Sequence, residues 1–383
     1  MSYKTTLFSM DLKRTYRIAT SVFFFIIGLT YVSWACRIHD IKEYFHLNNA
    51  GLGSILFSLP VGLLVSLPVS GLLVTRLGSR RVLITAGLLF PLTLCLIGFV
   101  TEIWQLVMVL FCFGFLNNLF EVAMNTQAVG IEALYGRSIM ASFHGLWSLA
   151  GFTGVCIGTW MISLGWPVWV HFCLICAVSW GLLIISFRRL LPADAASENQ
   201  PIFAWPDSSL LKLGLIAFAS LITEGTIFDW SGVYFKQIVA VPESYTTLGY
   251  LAFMGTMAAG RFTADRLVTR FGVTRILQLS GITSTVGLQL AVMFPNVYTA
   301  TLGFLLVGIG VCSVVPLVLA LAGRSQTMAP GIAIAAVSTI GFLGFLVGPP
   351  LIGFIAQAAS LRWSFALISI LGLLTTLLAS KIK

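Results

Sequence analysis

Charge is what this sequence has least of. Only 9% of its 383 residues are Asp, Glu, Lys or Arg, and 13 of those are acidic. Soluble domains carry roughly 25% charged residues, so composition excludes a water-soluble globular enzyme or binding module. Nucleotide and metal signatures are missing as well. No Walker A run occurs, Gly51-Leu52-Gly53 is too short for a dinucleotide fingerprint, and there is no HExxH or clustered Cys/His pattern. Neither a cofactor nor a metal is expected. The seven cysteines (Cys36, Cys95, Cys112, Cys156, Cys173, Cys176, Cys312) lie in or at the ends of apolar runs, which points to lipid-buried free thiols rather than disulfides. Cys173 and Cys176 form a CxxC, but without the βαβ context that gives that motif a redox meaning.

What is present is apolar: 58% hydrophobic residues and a mean hydropathy of +0.98. The chain resolves into twelve runs of helix-spanning length. They are continuously apolar rather than alternating, which excludes a barrel. The expected spans are 16–36, 49–74, 82–100, 103–129, 138–164, 167–187, 210–235, 245–268, 274–294, 298–322, 331–356 and 361–380. The first run is longer than a signal-peptide core and lacks an A-x-A-like cleavage site, so it reads as a span. Pro60 and Pro68 should kink the second. The longest polar segment, 188–209, carries three prolines at mid-chain and reads as a cytoplasmic linker. The expected class is therefore an all-α membrane protein of 12 transmembrane helices in two six-helix bundles, 1–187 and 210–383.

The net charge of +9 does not indicate nucleic acid, because the basic residues are dispersed between the apolar runs. With the N-terminus inside, 18 of the 22 Lys and Arg fall on the cytoplasmic side and only Arg37, Lys42, Lys236 and Arg362 on the other. That asymmetry follows the positive-inside rule and places both termini in the cytoplasm.

The most informative stretch is Gly114 to Gly136, which sets Asn117, Asn118, Glu121, Asn125 and Gln127 in an otherwise apolar helix. Asn117, Glu121 and Asn125 fall at i, i+4 and i+8 and share a face. An ionisable residue at that depth costs roughly 2.5–3.5 kcal/mol to insert and marks either a functional site or a polar link between helices. His144 and Ser148 in the fifth run are placed at a depth where they can join Glu121 and Asn125 in one cluster, suited to take and lose a proton or simply to hold two helices together. In the seventh run Glu224 lies near the midplane and Asp229 nearer the outside. Tyr31, Trp34, Trp147, Trp230 and Tyr234 offer stacking surface for sugar-like rings, or helix packing.

An internal repeat underlies the two halves. Leu73 to Leu83, LVTRLGSRRVL, aligns with Leu267 to Leu277, LVTRFGVTRIL, at seven of eleven positions and an offset of 194. Ser33-Trp34 likewise faces Asp229-Trp230 at an offset of 196. Such repeats mark transporters built from two copies of one bundle.

The run Gly71 to Arg81 resembles the loop signature of the major facilitator superfamily, G-x-x-x-D-R-x-G-R-R, with Thr75 in place of the usual Asp. FEVAMNTQAVGIE (120–132), SFHGLWSLAGF (142–152), EGTIFDWSGVYF (224–235) and AGRFTADRL (259–267) look like a bacterial inner-membrane branch allied with fucose permease-type sugar:proton symporters. The resemblance implies a monomeric carrier, working by alternating access, that takes a small polar solute and protons across the bilayer at a site between the halves. A proton-coupled exporter of amphipathic or organic-cation compounds is the alternative. Proton coupling is expected of Glu121, His144, Glu224 and Asp229, and solute contact of Tyr31, Trp34, Asn117, Asn118, Asn125, Trp147, Ser148 and Trp230. Gating is expected of Arg76, Arg80, Arg81, Arg261, Asp265 and Arg270 at the cytoplasmic end. At the outer end Arg37 either bridges to Asp229, or snorkels to headgroups or pairs with Asp40 beside it. The GxxxG pairs Gly154/Gly158 and Gly344/Gly348 should mark close helix contacts.

Overall fold

The computed structural model describes residues 2–136, 139–192, 207–328 and 330–382, with the side chains of residues 2–11, 141, 265, 330 and 331 outside that description. Most of the expected linker lies outside it too. In chain order the α-helices are α1 (Ser2–Cys36), α2 (Ile38–Tyr44), α3 (Asn49–Leu56), α4 (Ser58–Leu77), α5 (Ser79–Ile97), α6 (Ile103–Tyr135), α7 (Met140–Ser163) and α8 (Val168–Ser186). They continue as α9 (Ser208–Gln237), α10 (Leu248–Phe271), α11 (Val273–Met293), α12 (Val297–Val311), α13 (Val314–Ala322), α14 (Pro330–Ala358) and α15 (Leu361–Ala379). No strand occurs among the described residues, as backbone within a bilayer requires when no closed barrel is formed.

Eleven of the described helical segments are long and apolar enough to cross a membrane. The exception is α10, the expected eighth span, into which the sequence puts Arg261, Asp265, Arg266 and Arg270. Its 24 residues still reach about 36 Å at 1.5 Å per residue, enough to cross. It also holds the place in the second repeat that α4 holds in the first. The fold is thus twelve membrane helices in two six-helix repeats.

Two expected spans are broken rather than merely kinked. The second divides at Phe57 into α3 and α4, three residues before Pro60, whose missing N–H frees the carbonyl of Leu56. The tenth divides at Cys312 and Ser313 into α12 and α13, just before Pro316. Pro68 stays inside α4.

The chain forms two compact units, residues 1–34 with 58–197 and residues 35–57 with 198–383. Each closes its helices on small residues. In the first, a Cβ added to Gly114 of α6 would land on the carbonyl oxygen of Leu59 in α4, and one on Gly62 would land on that of Phe111. In the second, a Cβ on Gly308 of α12 would meet the carbonyl oxygen of Phe253 in α10, while Thr256 donates to the carbonyl of Leu305 at 2.9 Å. Each of these positions is its counterpart displaced by 194, so the offset found in one loop governs helix packing across the repeat. With no hydrophobic drive between helices in lipid, such backbone approaches are what hold a bundle together.

The turns of the repeat match as well. Gly78, between α4 and α5, has φ 82° and ψ 146°, and Gly272, between α10 and α11, has φ 81° and ψ 155°. Only glycine adopts that region without strain. The GxxxG stripes do mark close contacts: Gly154 packs on Leu29 and Ser33, and Gly344 on Phe218 and Ile222. Near the start of α9 the second unit gathers Leu210, Leu213, Ile216, Leu277, Val318 and Val337 into a buried cluster.

Candidate coupling and binding residues

Helix α6 sorts its polar residues onto two faces. Asn118 donates from Nδ2 to Ser66 Oγ at 3.2 Å and Ser70 Oγ at 3.1 Å, both in α4. Gln127 donates to Ser79 Oγ at 2.7 Å and accepts from the N–H of Leu191 at 2.8 Å. These are the polar links between helices that the sequence left open as an alternative. Asn118, expected to touch solute, has its amide held by two buried hydroxyls.

The other face is unsatisfied. Asn117, Glu121 and Asn125 make no hydrogen bond or ion pair with any described residue, and Asn125 Oδ1 is buried without a partner. Buried polar groups in folded proteins are nearly always paired. Asn117, Glu121 and Asn125 thus stand one turn apart on a single face of α6, with Asn125 Oδ1 as the buried atom that lacks a partner.

The expected cluster of Glu121 with His144 is not formed among the described side chains. His144 is exposed and sits edge-on to Phe24 of α1, with ring centres 5.4 Å apart. Ser148 donates back to the carbonyl of His144 at 3.1 Å, the usual refuge of a serine inside a helix.

In the second unit Glu224 finds a partner that the sequence reading had not assigned. Arg261 Nη2 of α10 lies 3.8 Å from its Oε1, and Glu224 is 6% exposed. Arg261, expected among the gating residues, is thus paired with Glu224 within the second unit, and the side chain of Asp265 lies outside the described residues. Asp229 is half-buried and makes no hydrogen bond or ion pair with a described residue.

The bridge expected between Arg37 and Asp229 is likewise not formed, and the second expectation for Arg37 holds. Its Nη1 lies 2.9 Å from Asp40 Oδ2, because α1 ends at Cys36 and α2 presents Asp40 one turn on. Burial pushes the Asp40 carboxyl above its ordinary range, against the opposing pull of Arg37.

The aromatic residues divide too. Trp34 and Trp230 are 1% and 0% exposed, so they present no open ring face, and both indole N–H groups lack an acceptor. Tyr31 is half-buried and stacks at 6.1 Å on Phe113, and Trp147 is half-buried with its carbonyl oxygen where a Cβ on Gly28 would fall.

At the LVTR turns, Arg80 donates to the carbonyl of Arg188 at 3.4 Å, just past the end of α8. Arg76, Arg81 and Arg270 are exposed, and Arg270 lies over the ring of Phe271. Glu132 accepts from the N–H groups of Ile139 and Met140 at 2.7 and 2.9 Å, at the start of α7.

A tandem six-helix repeat that crosses a membrane and keeps unpartnered polar groups inside its helices defines a solute transporter. The chain belongs to the major facilitator superfamily, whose sequence profile matches residues 18–251 and 213–382. An MFS-type transporter of Yersinia pestis is 32% identical over 355 residues, 93% of this chain and 92% of its own. A transporter of Sinorhizobium fredii is 34% identical over 363 residues, 94% of this chain and 96% of its own. Among solved structures, the nucleoside transporter NupG superposes with a TM-score of 0.74 at 14% identity, covering 97% of this chain and 99% of its own. A bacterial homologue of the human lysosomal transporter Spinster gives the same TM-score at 11% identity, with 97% of each chain covered.

Proposed function

We propose that this transporter is a proton-coupled symporter of a small polar solute, sugar-like or a related metabolite, with Glu121 as the acid that takes the coupled proton. The observation that carries the proposal is the unsatisfied face of α6. Asn117 and Asn125 flank Glu121 one turn on either side, offering amides to solute hydroxyls within reach of a carboxyl that has no partner to hold its charge. Glu224 has Arg261 beside it and ranks second for the role. The exporter alternative rests on acids plus aromatic faces for an organic cation, and the full burial of Trp34 and Trp230 leaves neither ring open to a cation or to a sugar. The dispersed arginines support an inner-membrane orientation with both termini in the cytoplasm, and the exposed Arg76, Arg81 and Arg270 are the proposed cytoplasmic gating charges.

A thermal-shift screen of sugars, sugar acids, nucleosides and amino acids on purified protein identifies the solute, because a ligand that binds only the native state raises apparent stability. With that solute, Glu121→Gln in liposomes is expected to keep exchange and to lose accumulation driven by a pH gradient. A variant that still concentrates solute would transfer the coupling role to Glu224.

A further inference from the structure

Apart from the coupling residues, one cluster of acceptors converges without a donor between them. His39 and Glu43 sit at i and i+4 on α2, so they share a face. Glu243 reaches them from the 3₁₀ turn Glu243–Tyr245 between α9 and α10. All three residues belong to the second unit, at the far end of α10 from the Gly272 turn. His39 Nε2 lies 3.3 Å from Glu43 Oε1 and 3.6 Å from Glu243 Oε1, and the three atoms fall within 4.8 Å of one another.

The His39 side chain is 5% exposed, and neither ring nitrogen makes a hydrogen bond with a described residue. A neutral imidazole presenting its Nε2 lone pair would here face two carboxylate oxygens, three acceptors with nothing positive among them. Burying such a group without a partner is costly. Of the positive charges nearby, Arg37 is paired with Asp40, Lys236 Nζ holds the other oxygen of Glu243, Oε2, at 2.6 Å, and Lys42 lies close to Glu43 without forming an ion pair with a described residue. The Lys236 contact leaves Glu243 Oε1 turned towards His39.

We propose that His39, Glu43 and Glu243 bind a divalent cation of zinc's class, tying α2 to the connector between α9 and α10. Zinc bonds of about 2.0–2.1 Å to nitrogen and 2.0–2.2 Å to oxygen set tetrahedral ligand atoms roughly 3.3–3.5 Å apart, and the spacings around His39 Nε2 are close to that. Three protein ligands leave the fourth position to water. Magnesium and calcium are disfavoured, since they require an oxygen shell of six or more and this site offers one nitrogen and two carboxylates. A proton on Nε2 is the competing guest, but it can lie along the line to only one carboxylate at a time. The Glu43 and Glu243 side chains are 57% and 43% exposed, so the cation can enter from solvent. His39 Nδ1 lacks the acceptor that normally orients a ligand imidazole, which makes this an exchangeable site rather than a permanent structural one.

The test is isothermal titration of zinc chloride into the full chain in detergent, stripped of metal with EDTA, with a parallel melting curve. One zinc per chain and a rise in melting temperature are expected at pH 7.5, with no rise for magnesium or calcium. His39→Gln and Glu243→Gln should each weaken binding at least tenfold. Glu43→Gln, at an exposed position that folding does not need, should weaken it as well and guards against misfolded variants. Absence of saturable binding in the wild type, or wild-type affinity in His39→Gln, overturns the proposal. So does a melting temperature that rises on acidification without metal and does not respond to zinc, the signature of a proton site.

Discussion

Arg261 Nη2 stands 3.8 Å from Glu224 Oε1, joining α10 to α9 inside the second unit. The side chains are 19% and 8% exposed, so each shields the other from an apolar surround. Removing one partner of a buried pair typically costs about 3–5 kcal/mol, because the remaining charge is stranded. A single contact of this length belongs at the lower end of that range. Arg261→Met should therefore lower the melting temperature in detergent, and Glu224→Gln added to it should restore most of the loss. Additive losses in the double variant would show that the two charges are not coupled.

The two faces of α6 should respond oppositely. Asn118→Leu removes two hydrogen bonds and leaves the hydroxyls of Ser66 and Ser70 with only their bond to each other, a cost of about 1–3 kcal/mol. Asn117→Ala and Asn125→Ala remove no protein hydrogen bond and should change the melting temperature little, while weakening the thermal shift given by the cognate solute. Equal destabilisation on both faces would refute the division.

Helix approach at Gly114 leaves no room for a methyl group, since an added Cβ meets the main chain of α4 and not a movable side chain. Gly114→Ala should cost about 1–3 kcal/mol or more. Gly71→Ala, where nothing lies within 4 Å, should be neutral or slightly stabilising. Comparable melting temperatures for the two variants would mean that α4 and α6 are not in contact as described.

Asp207 caps α9, accepting from the N–H groups of Ser209 and Leu210 at 2.8 Å each and from the hydroxyl of Thr327 at 2.5 Å. The Thr327 hydroxyl, then the backbone donors, hold its carboxyl below the ordinary aspartate range. A folded-state value below the unfolded one means that the contribution is complete above the unfolded value, roughly 3.9, and is lost as pH falls through the folded one. Asp207→Ala should cost about 0.5–2 kcal/mol near neutral pH, and the gap from wild type should narrow in melting curves taken in acid. A gap independent of pH would assign the effect to packing alone.

Much of this was legible in the sequence because the bilayer imposes long apolar runs and the repeat wrote its turn twice. The face shared by Asn117, Glu121 and Asn125 followed from helical spacing alone. Spacing could not tell that Asn118, one residue along, answers to Ser66 and Ser70, because that depends on how α4 lies against α6. Glu224 and Arg261 are 37 residues apart with no pattern to link them, and depth by residue count, which brought His144 near Glu121, carries no information on the direction in which a ring points. His39 and Glu43 were an i, i+4 pair in plain view, but their third neighbour comes from the other side of α9.

The offset of 194 gives the chain an internal reference against which its own polar residues can be compared. Where the first copy has Asn118 against Ser66, the second has Cys312 against Gly260 in the same close approach. Where the first has Gln127 bonded to Ser79, the second has Leu321 and Val273 packed on one apolar cluster. Glu121 has Val315 as its counterpart, and Glu224, at the offset of 196, has Gly28. The scaffold therefore tolerates a neutral residue at both acid positions. Each carboxylate thus belongs to one repeat alone and not to the scaffold that the two repeats share.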